Sequence, residues 1–406
     1  MSTAAVTPQP AGNQAVRALL SRVTRDQGPE FEQTLVWANT TQLSTPTSLR
    51  TDRKVKFIDL HIRARITNAA APPTFQTGPS LLGTPLYRLV QQFTIRGQHF
   101  RYGAQSPLQM RGETAAEYMA LLYPNWAPTF SVSVNGGALV KSGALSNAAN
   151  ATNDIDVTLP IPLFPPDISP ADQVFHSLHG PDWAGNLYMD VQTADPTALG
   201  ATLAQIANGS TLTAFGSAAG LGSIDILTER PLVTKEYMAK IKPAILFRVQ
   251  NFQQPTATVS GTSGTGLKLA DLTVGKDTTR IFLKAGVQLT PTTGGVVCYT
   301  SLSDQIVTRT FFSMDNRNLR FQNSNADGVL QDYLGRTYGR TIPAGYRVID
   351  FASSTGNGSA NPKAAFSSSK LTAARKFEID GDVTAAANQI SEVVQEMLLG
   401  RPQLLG

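Results

Sequence analysis

The sequence predicts an all-β chain made of two tandem sandwiches, and three observations carry that expectation. Apolar and polar residues alternate through Ile58-Asp59-Leu60-His61-Ile62-Arg63-Ala64-Arg65-Ile66, a period of two that turns one face inward and leaves the other in water. Segments of the same kind recur along the chain between clusters of Gly, Pro, Asn and Ser, at lengths that suit strands. Their order in the first half is repeated in the second.

Residues 1–10 are small, polar and proline-containing, the composition of an adaptable tip. An amphipathic helix follows. From Asn13 as N-cap, Val16, Leu19, Leu20 and Val23 fall at i, i+3, i+4 and i+7, with Arg17, Arg22 and Arg25 mostly outside that stripe. Gly28-Pro29 ends it. A basic amphipathic helix ahead of a folded body suits docking on a membrane surface, an acidic partner or a neighbouring subunit, and packing on its own domain is the plain alternative.

Beyond this arm, strands are expected at 87–102, 155–161, 187–191 and 224–227, with one helix at 113–122. The second half offers 244–250, 280–289, 296–299, 306–314, 346–351 and 377–383. Thr94-Ile95-Arg96-Gly97-Gln98-His99-Phe100-Arg101-Tyr102 can be laid on Ser313-Met314-Asp315-Asn316-Arg317-Asn318-Leu319-Arg320-Phe321, and helix candidates follow at 113–122 and 327–334. The repeat is one of order and polarity. The boundary is expected at 234–242, where Pro231 closes one strand and Pro243 precedes the next. That gives an arm at 1–29 and units at 30–238 and 239–406, each with strands enough for a core of its own. Polar stretches at 135–153, 193–222, 254–266 and 353–369 are too long for ordinary hairpins. Alternation is blurred at 267–274, and 391–399 reads equally as strand or helix, with Ser391 as N-cap before Glu392, Val393, Val394, Met397 and Leu398.

Composition narrows the function classes. Of the 406 residues 41% are apolar and 16% charged, against a usual charged share of about 25%. Lys and Arg total 34 against 29 Asp and Glu, and nine of the basic and five of the acidic residues lie within residues 1–65, so most of the net +5 sits there. The near-neutral remainder argues against a protein built to coat phosphate backbones. The lone Cys298, in Val296-Val297-Cys298-Tyr299, reads as a small buried hydrophobe. No apolar run approaches the ~20 residues of a membrane span and no leader pattern opens the chain, so a soluble protein is expected. The Asn-x-Ser/Thr triplets at Asn39, Asn150, Asn208 and Asn357 then read as chance in a Ser/Thr-rich chain.

Chemistry is sparse. His176 and His179 stand at i, i+3 without an intervening Glu, and only Asp172 and Asp182 are nearby, too few ligands for a metal site. His61 and His99 lack a neighbouring nucleophile. Asp154 with Asp156, and Asp380 with Asp382, would each share one strand face, a geometry for acid/base work or Ca²⁺ but also the ordinary solvent face of a sheet. Gly261-Thr262-Ser263-Gly264-Thr265-Gly266 before Lys268, and Gly275-Lys276 before Asp277, miss the phosphate-loop pattern. Basic and aromatic residues interleave at Arg96, His99, Phe100, Arg101 and Tyr102, and at Arg309, Phe311, Phe312, Arg317, Arg320 and Phe321. They could stack single-stranded nucleic acid, though alternation sends the aromatics inward. No cofactor is expected.

Taken together, the chain resembles the double jelly-roll major capsid proteins of membrane-containing, tailless icosahedral bacteriophages such as the tectiviruses. The resemblance rests on length, on the helix from Asn13 to Arg25, on the paired order of strands and helices, on Leu159-Pro160-Ile161-Pro162-Leu163, and on Asn318-Leu319-Arg320-Phe321 with the segment 327–338. It implies two tandem eight-stranded jelly rolls with short helices in loops and an N-terminal amphipathic helix, in a structural protein that is not an enzyme. It implies homotrimers with pseudo-hexagonal outlines, capsomer-to-capsomer contacts, and vertex and minor capsid proteins as further partners. Val16, Arg17, Leu19, Leu20, Arg22, Val23 and Arg25 would meet an internal lipid membrane or a neighbour, with no specific nucleic acid bound. The location implied is the virion capsid, after synthesis in the host cytoplasm. The alternatives are a two-domain β-sandwich carbohydrate-active enzyme, with the Asp pairs as acid/base and Trp126 and Trp183 stacking on sugar, and a phage vertex or spike protein.

Overall fold

The computed structural model describes residues 30–38, 44–68, 86–123, 126–166, 173–174, 177–193, 212–215, 221–230, 246–252, 264–273, 277–288, 299–302, 307–314, 317–320, 343–350, 366–367, 377–383 and 389–400. The expected N-terminal helix with its seven contact residues, the boundary at 234–242, the helix candidate at 327–334, Cys298 and His176 lie outside the described residues.

The first half contributes β1 (Glu30–Ala38), β2 (Ser44–Leu49), β3 (Phe57–Asn68), β4 (Val90–His99), β5 (Gly103–Met110), β6 (Thr152–Pro162), β7 (Trp183–Thr193) and β8 (Leu221–Glu229). Helix α1 (Gly112–Leu122) lies between β5 and β6. The second half contributes β9 (Leu246–Phe252), β10 (Gly264–Asp271), β11 (Asp277–Gln288), β12 (Val307–Met314), β13 (Arg317–Arg320), β14 (Tyr346–Asp350), β15 (Phe377–Val383) and β16 (Gln389–Gly400).

In the first half the main strands of one sheet run β1-β8-β3-β6, with Thr129–Val134 and Val140–Lys141 continuing beyond β6 and Leu212–Phe215 also paired to β3, and the other sheet runs β2-β7-β4-β5. In the second the orders are β9-β16-β11-β14 and β10-β15-β12-β13. Adding eight to each label turns one half into the other. Within each half successive strands cross repeatedly from sheet to sheet, which is jelly-roll connectivity. The hairpins β4–β5 and β12–β13 are equivalent, but the residue overlay is offset: 94–99 lie on β4 and 100–102 in the turn, whereas 313–314 end β12 and 317–320 form β13.

The clearest strand of the sequence behaves as its alternation dictates. Along β3, Ile58, Leu60, Ile62, Ala64 and Ile66 are buried, and the intervening residues from Asp59 to Thr67 are partly or fully exposed. They meet Ile155, Val157, Leu159 and Ile161 of β6, Ile224 and Ile226 of β8, and, from the facing sheet, Phe93, Ile95, Leu108, Met110, Leu187, Met189 and Val191.

One open reading is settled and one expectation is corrected. The segment 391–399 is strand, paired on one side with β9 and on the other with β11. Residues 392–397 are all buried, so neither face needs a polar row and no alternation is written there. Residues 86–89 form a 3-10 turn ahead of β4, and 100–102 form the turn to β5, so the strand expected at 87–102 is shorter at both ends. Lys268 lies within β10, in keeping with its departure from the phosphate-loop pattern.

The halves are also less separate than two cores in tandem. β9 pairs in parallel with β5 through Val249 opposite Leu108 and Gln250 opposite Gln109, joining two sheets edge to edge. Phe282, Tyr346, Val348 and Val394 of the second half belong to the same apolar cluster as the first-half core.

The expected long loop at 135–153 is tied down at its base. Asn68 donates through Nδ2 to the carbonyls of Ser146 and Ala148, and the Ser146 N–H donates to Asn153 Oδ1. Asn135 and Gly136 both take positive φ, as a tight turn following the strand Thr129–Val134 requires.

Gly112 opens α1 where a Cβ would stand 2.5 Å from the Tyr87 carbonyl oxygen and 2.7 Å from that of Val90. Backbone cannot yield as a side-chain tip can, so Gly112→Ala is expected to cost about 1–3 kcal/mol. Chemical denaturation of the purified variant checks this; an unchanged midpoint would show that the helix entry has slack.

Candidate functional site

All eleven residues of α1 are buried. Its Ala- and Leu-rich run favours helix, and Glu113 in the first turn complements the helix dipole. Tyr123 ends it, its N–H donating to the Met119 carbonyl.

The polar residues of α1 face the second half. Glu117 accepts from Lys284 Nζ at 2.6 Å and from the Tyr346 hydroxyl at 2.7 Å. Thr114 donates to Glu392 at 2.8 Å, and the Tyr118 hydroxyl donates to Glu396 at 2.5 Å. Arg111, just before the helix, pairs with Glu392. Arg88 holds Glu113 at 3.0 Å, and Lys284 lies 3.7 Å from the same carboxylate. Within the second half Arg280 reaches Glu396 at 2.6 Å, and Thr279 donates to it at the same distance. Phe282 and Tyr346 pack among these groups, with Phe282 edge-on to Tyr118 at 5.7 Å between centroids.

Arg88, Arg111, Arg280 and Lys284 therefore meet Glu113, Glu117, Glu392 and Glu396, all eight of them buried. Taking charges out of water costs several kcal/mol per ion, which pairing roughly returns, so such a set adds little net stability. Its effect is on placement, because shifting α1 against β9-β16-β11-β14 would separate these pairs and leave buried charges uncompensated. These groups join the halves, and the sequence reading did not single them out. The available signal was Glu113 and Glu117 at i, i+4 in an apolar helix, with Glu392 and Glu396 spaced by four in an otherwise apolar strand.

The two helix carboxylates divide the work. Burial alone would raise Glu113, but Arg88, Lys284 and Arg111 outweigh it and take the carboxyl down to about 2. At Glu117 burial, reinforced by the Glu113 charge, outweighs Lys284 and the Tyr346 hydroxyl, and its carboxyl is raised. Burial and the Glu396 charge likewise hold the Tyr118 hydroxyl protonated.

Residues expected from the sequence fall elsewhere. Asp154 and Asp156 do share the outer face of the first sheet, and each is engaged: Arg65 chelates Asp154 at 2.5 and 2.8 Å, and His61 Nε2 lies 2.6 Å from Asp156. Asp225 accepts from Thr34 at 2.6 Å and from Arg63 at 2.5 Å. Asp380 and Asp382 stand on β15 opposite Lys268 and Arg309. Trp126 packs on Phe57 at 4.1 Å with the Lys56 ammonium over its ring, and Trp183 is buried against His99. Trp183 therefore offers no open stacking face, and Trp126 is partly buried against the core.

The basic-aromatic row of the first half is likewise split. Arg96 pairs with Asp190 and lies over Tyr188, and His99 is buried, its Nδ1 accepting from the backbone N–H groups of Arg101 and Tyr102. Phe100, 72% exposed, stands at the turn. Among the described residues no cluster of three His, Cys, Asp or Glu could hold a metal ion, and His179 pairs through its backbone with Lys54.

Lys54 is fully buried, which takes its ammonium down to about 7 although Asp182 favours the charge. A lysine depressed in the folded state favours folding where it is neutral. Stability is therefore expected to rise from pH 7 towards the unfolded-state lysine value near 10.5. Urea denaturation at pH 7 and 9.5 should show that gain in the native chain and lose it in Lys54→Met; the same gain in both would exclude Lys54 as its source.

At the joint, Glu113→Gln is expected to cost about 3–5 kcal/mol at pH 7, because it leaves Arg88 and Lys284 short of a counter-charge. Glu117→Gln should cost less, since it removes a carboxylate that burial already disfavours. The signs also separate them. The depressed Glu113 contributes stability above pH 4.5 that is lost as pH falls towards 2, whereas the raised Glu117 contributes below 4.5 and loses that contribution as pH rises. Denaturation of both variants from pH 3 to 8 checks the order, and equal losses at pH 7 would contradict it.

No family model and no curated protein matches the sequence. Solved structures do. The chain is similar to the STIV MCP, with a TM-score of 0.56 and 14% identity over 94% of this chain and 98% of that one. It is similar to a chain in the atomic structure of Sulfolobus Turreted Icosahedral Virus, at 0.55 and 13% over 94% and 91%. PBCV-1 VP54, fitted into a reconstruction of the virophage Sputnik, gives 0.50 and 10% over 92% and 95%. With both halves repeating one strand order and the match running almost end to end, the chain has the double jelly-roll fold of these viral major capsid proteins.

Proposed function

We propose that this chain is a viral major capsid protein, a structural subunit whose activity is self-association rather than catalysis. The observation that carries the reading is the duplicated sandwich joined through α1, matched over nearly its whole length by capsid proteins. Three such blocks, each presenting two like units, make a pseudo-hexagonal tile, and repeated tile contacts close a symmetric shell. The units in this reading are the arm 1–29 and the sandwiches 30–238 and 239–406.

Several further points belong to the same proposal. The shell is that of an icosahedral virus with an internal membrane, on the tectivirus pattern, assembled from protein made in the host cytoplasm. Vertex and minor capsid proteins fill the places the trimers leave. Val16, Leu19, Leu20 and Val23, flanked by Arg17, Arg22 and Arg25, face the lipid or a neighbouring capsomer, with anionic lipid drawing each basic residue by about 1 kcal/mol. The outer-face ion pairs that occupy Asp154 and Asp156 support a non-catalytic role for them.

Light scattering coupled to size exclusion should find an assembly of three 43.4 kDa chains, and electron micrographs should show hexagonal outlines. Deleting residues 1–27 should leave that trimer intact and reduce particle formation or vesicle binding. A native chain that is monomeric at every concentration would refute the shell reading. Loss of folding on the deletion would refute the peripheral arm.

A further inference from the structure

His99, Phe100, Arg101 and Tyr102 close β4 and form the turn into β5. The turn hangs on one imidazole. The N–H groups of Arg101 and Tyr102 donate to His99 Nδ1 at 3.1 and 3.3 Å, and among the described residues neither meets a backbone carbonyl. The Phe100 N–H donates to the Asp182 carbonyl at 2.9 Å, and Gln105 Nε2 donates to the Tyr102 carbonyl at 2.6 Å. Gly103, with φ of +71°, then leads the chain into β5. Phe100 and Arg101 stand outward on this turn, both exposed.

Two backbone donors on Nδ1 fix the charge of the ring. A nitrogen that accepts carries no proton, so the imidazole is neutral with its hydrogen on Nε2. Nε2 is buried and meets no acceptor. The ring is 3% exposed, edge-on to Trp183 at 5.3 Å and tilted against Tyr102 at 4.9 Å. A second proton has no place in this setting, because on Nδ1 it would confront two N–H groups and on Nε2 the hydrogen already lacks a partner. The charges that bear on the ring are Asp182, from the 3-10 turn Gly180–Asp182, which favours an imidazolium, and Arg101, which opposes it. The buried Lys54 draws on the same Asp182 charge. Burial outweighs Asp182, and His99 is held below its ordinary value of 6.5.

We propose that His99 is a proton-operated latch: neutral, it pins the turn 100–102 against the end of the sheet, and protonation releases that turn together with Phe100 and Arg101. The closed turn needs the unprotonated ring, whereas in the open turn the ring reaches water and takes up a proton at the ordinary 6.5. Opening therefore gains as pH falls below 6.5, by up to about tenfold per pH unit. The device is local to one hairpin and does not depend on the capsid reading.

Amide hydrogen exchange of the full chain at pH 7.5 and pH 5, corrected for the intrinsic pH dependence of exchange, tests it. The reference is the turn at Asn135 and Gly137, whose N–H groups are held by the backbone carbonyls of Thr152 and Val134 and so meet no titrating acceptor. In the native chain Arg101 and Tyr102 should lose protection about tenfold or more at pH 5 while the reference turn keeps its own; equal behaviour of the two turns would overturn the latch without any variant. His99→Asn places an amide oxygen where Nδ1 stands and cannot titrate, so its turn should stay protected at both pH values. His99→Leu removes the acceptor and should leave the turn open at both. Thermal melts confirm that each variant is folded. An acid-induced opening that persists in folded His99→Asn, or native-like protection at pH 7.5 in folded His99→Leu, would show that another group holds the turn.

Discussion

The constraint on which the rest depends is the neutralisation of eight buried charges between α1 and the sheet β9-β16-β11-β14. Neither half can satisfy it alone. The first supplies Arg88, Arg111, Glu113 and Glu117, and the second supplies Arg280, Lys284, Glu392 and Glu396. Each set is balanced in sign, but most of its partners lie across the joint. An apolar joint of equal size would hold as strongly and tolerate sliding. Ionic groups with fixed partners do not, so the pairing holds α1 in one placement against the sheet.

The same logic continues outward. The exposed faces are charge-poor because their charges cancel locally, through Arg65 with Asp154, Arg63 with Asp225 and Arg96 with Asp190. A surface neutral at short range can meet many equivalent neighbours without the repulsion a uniform field would impose.

How much of this was legible depended on whether a strand has one wet face. β3 does, and its period of two gave its whole length. β16 is buried on both faces, so Ser391 to Gly400 carried a helix-like sequence and its strand pairing was hidden. In β1 a bulge between Phe31 and Gln33 shifts the side-chain parity and leaves Phe31 exposed beside a buried Leu35. β2 carries Pro46, admissible because it is the sheet's edge strand, and β5 carries Pro107, so both looked like loops. The helix was readable from composition, but Glu113 and Glu117 look the same in sequence whether they face water or Lys284. The partners that decide the matter are more than 160 residues away.

The position of β16 has a consequence for how the molecule is made. It is the last of the described strands, yet it lies inside its sheet, between β9 and β11, and it delivers Glu392 and Glu396 to the joint. A nascent chain can fold the first sandwich early but cannot close the second until Gln389–Gly400 has left the ribosome. Truncated products, with Arg111 and Arg280 lacking their counter-ions, would remain open. Emergence of β16 thus becomes a condition for fixing the joint, and chains cut short before it keep buried cations without their counter-ions.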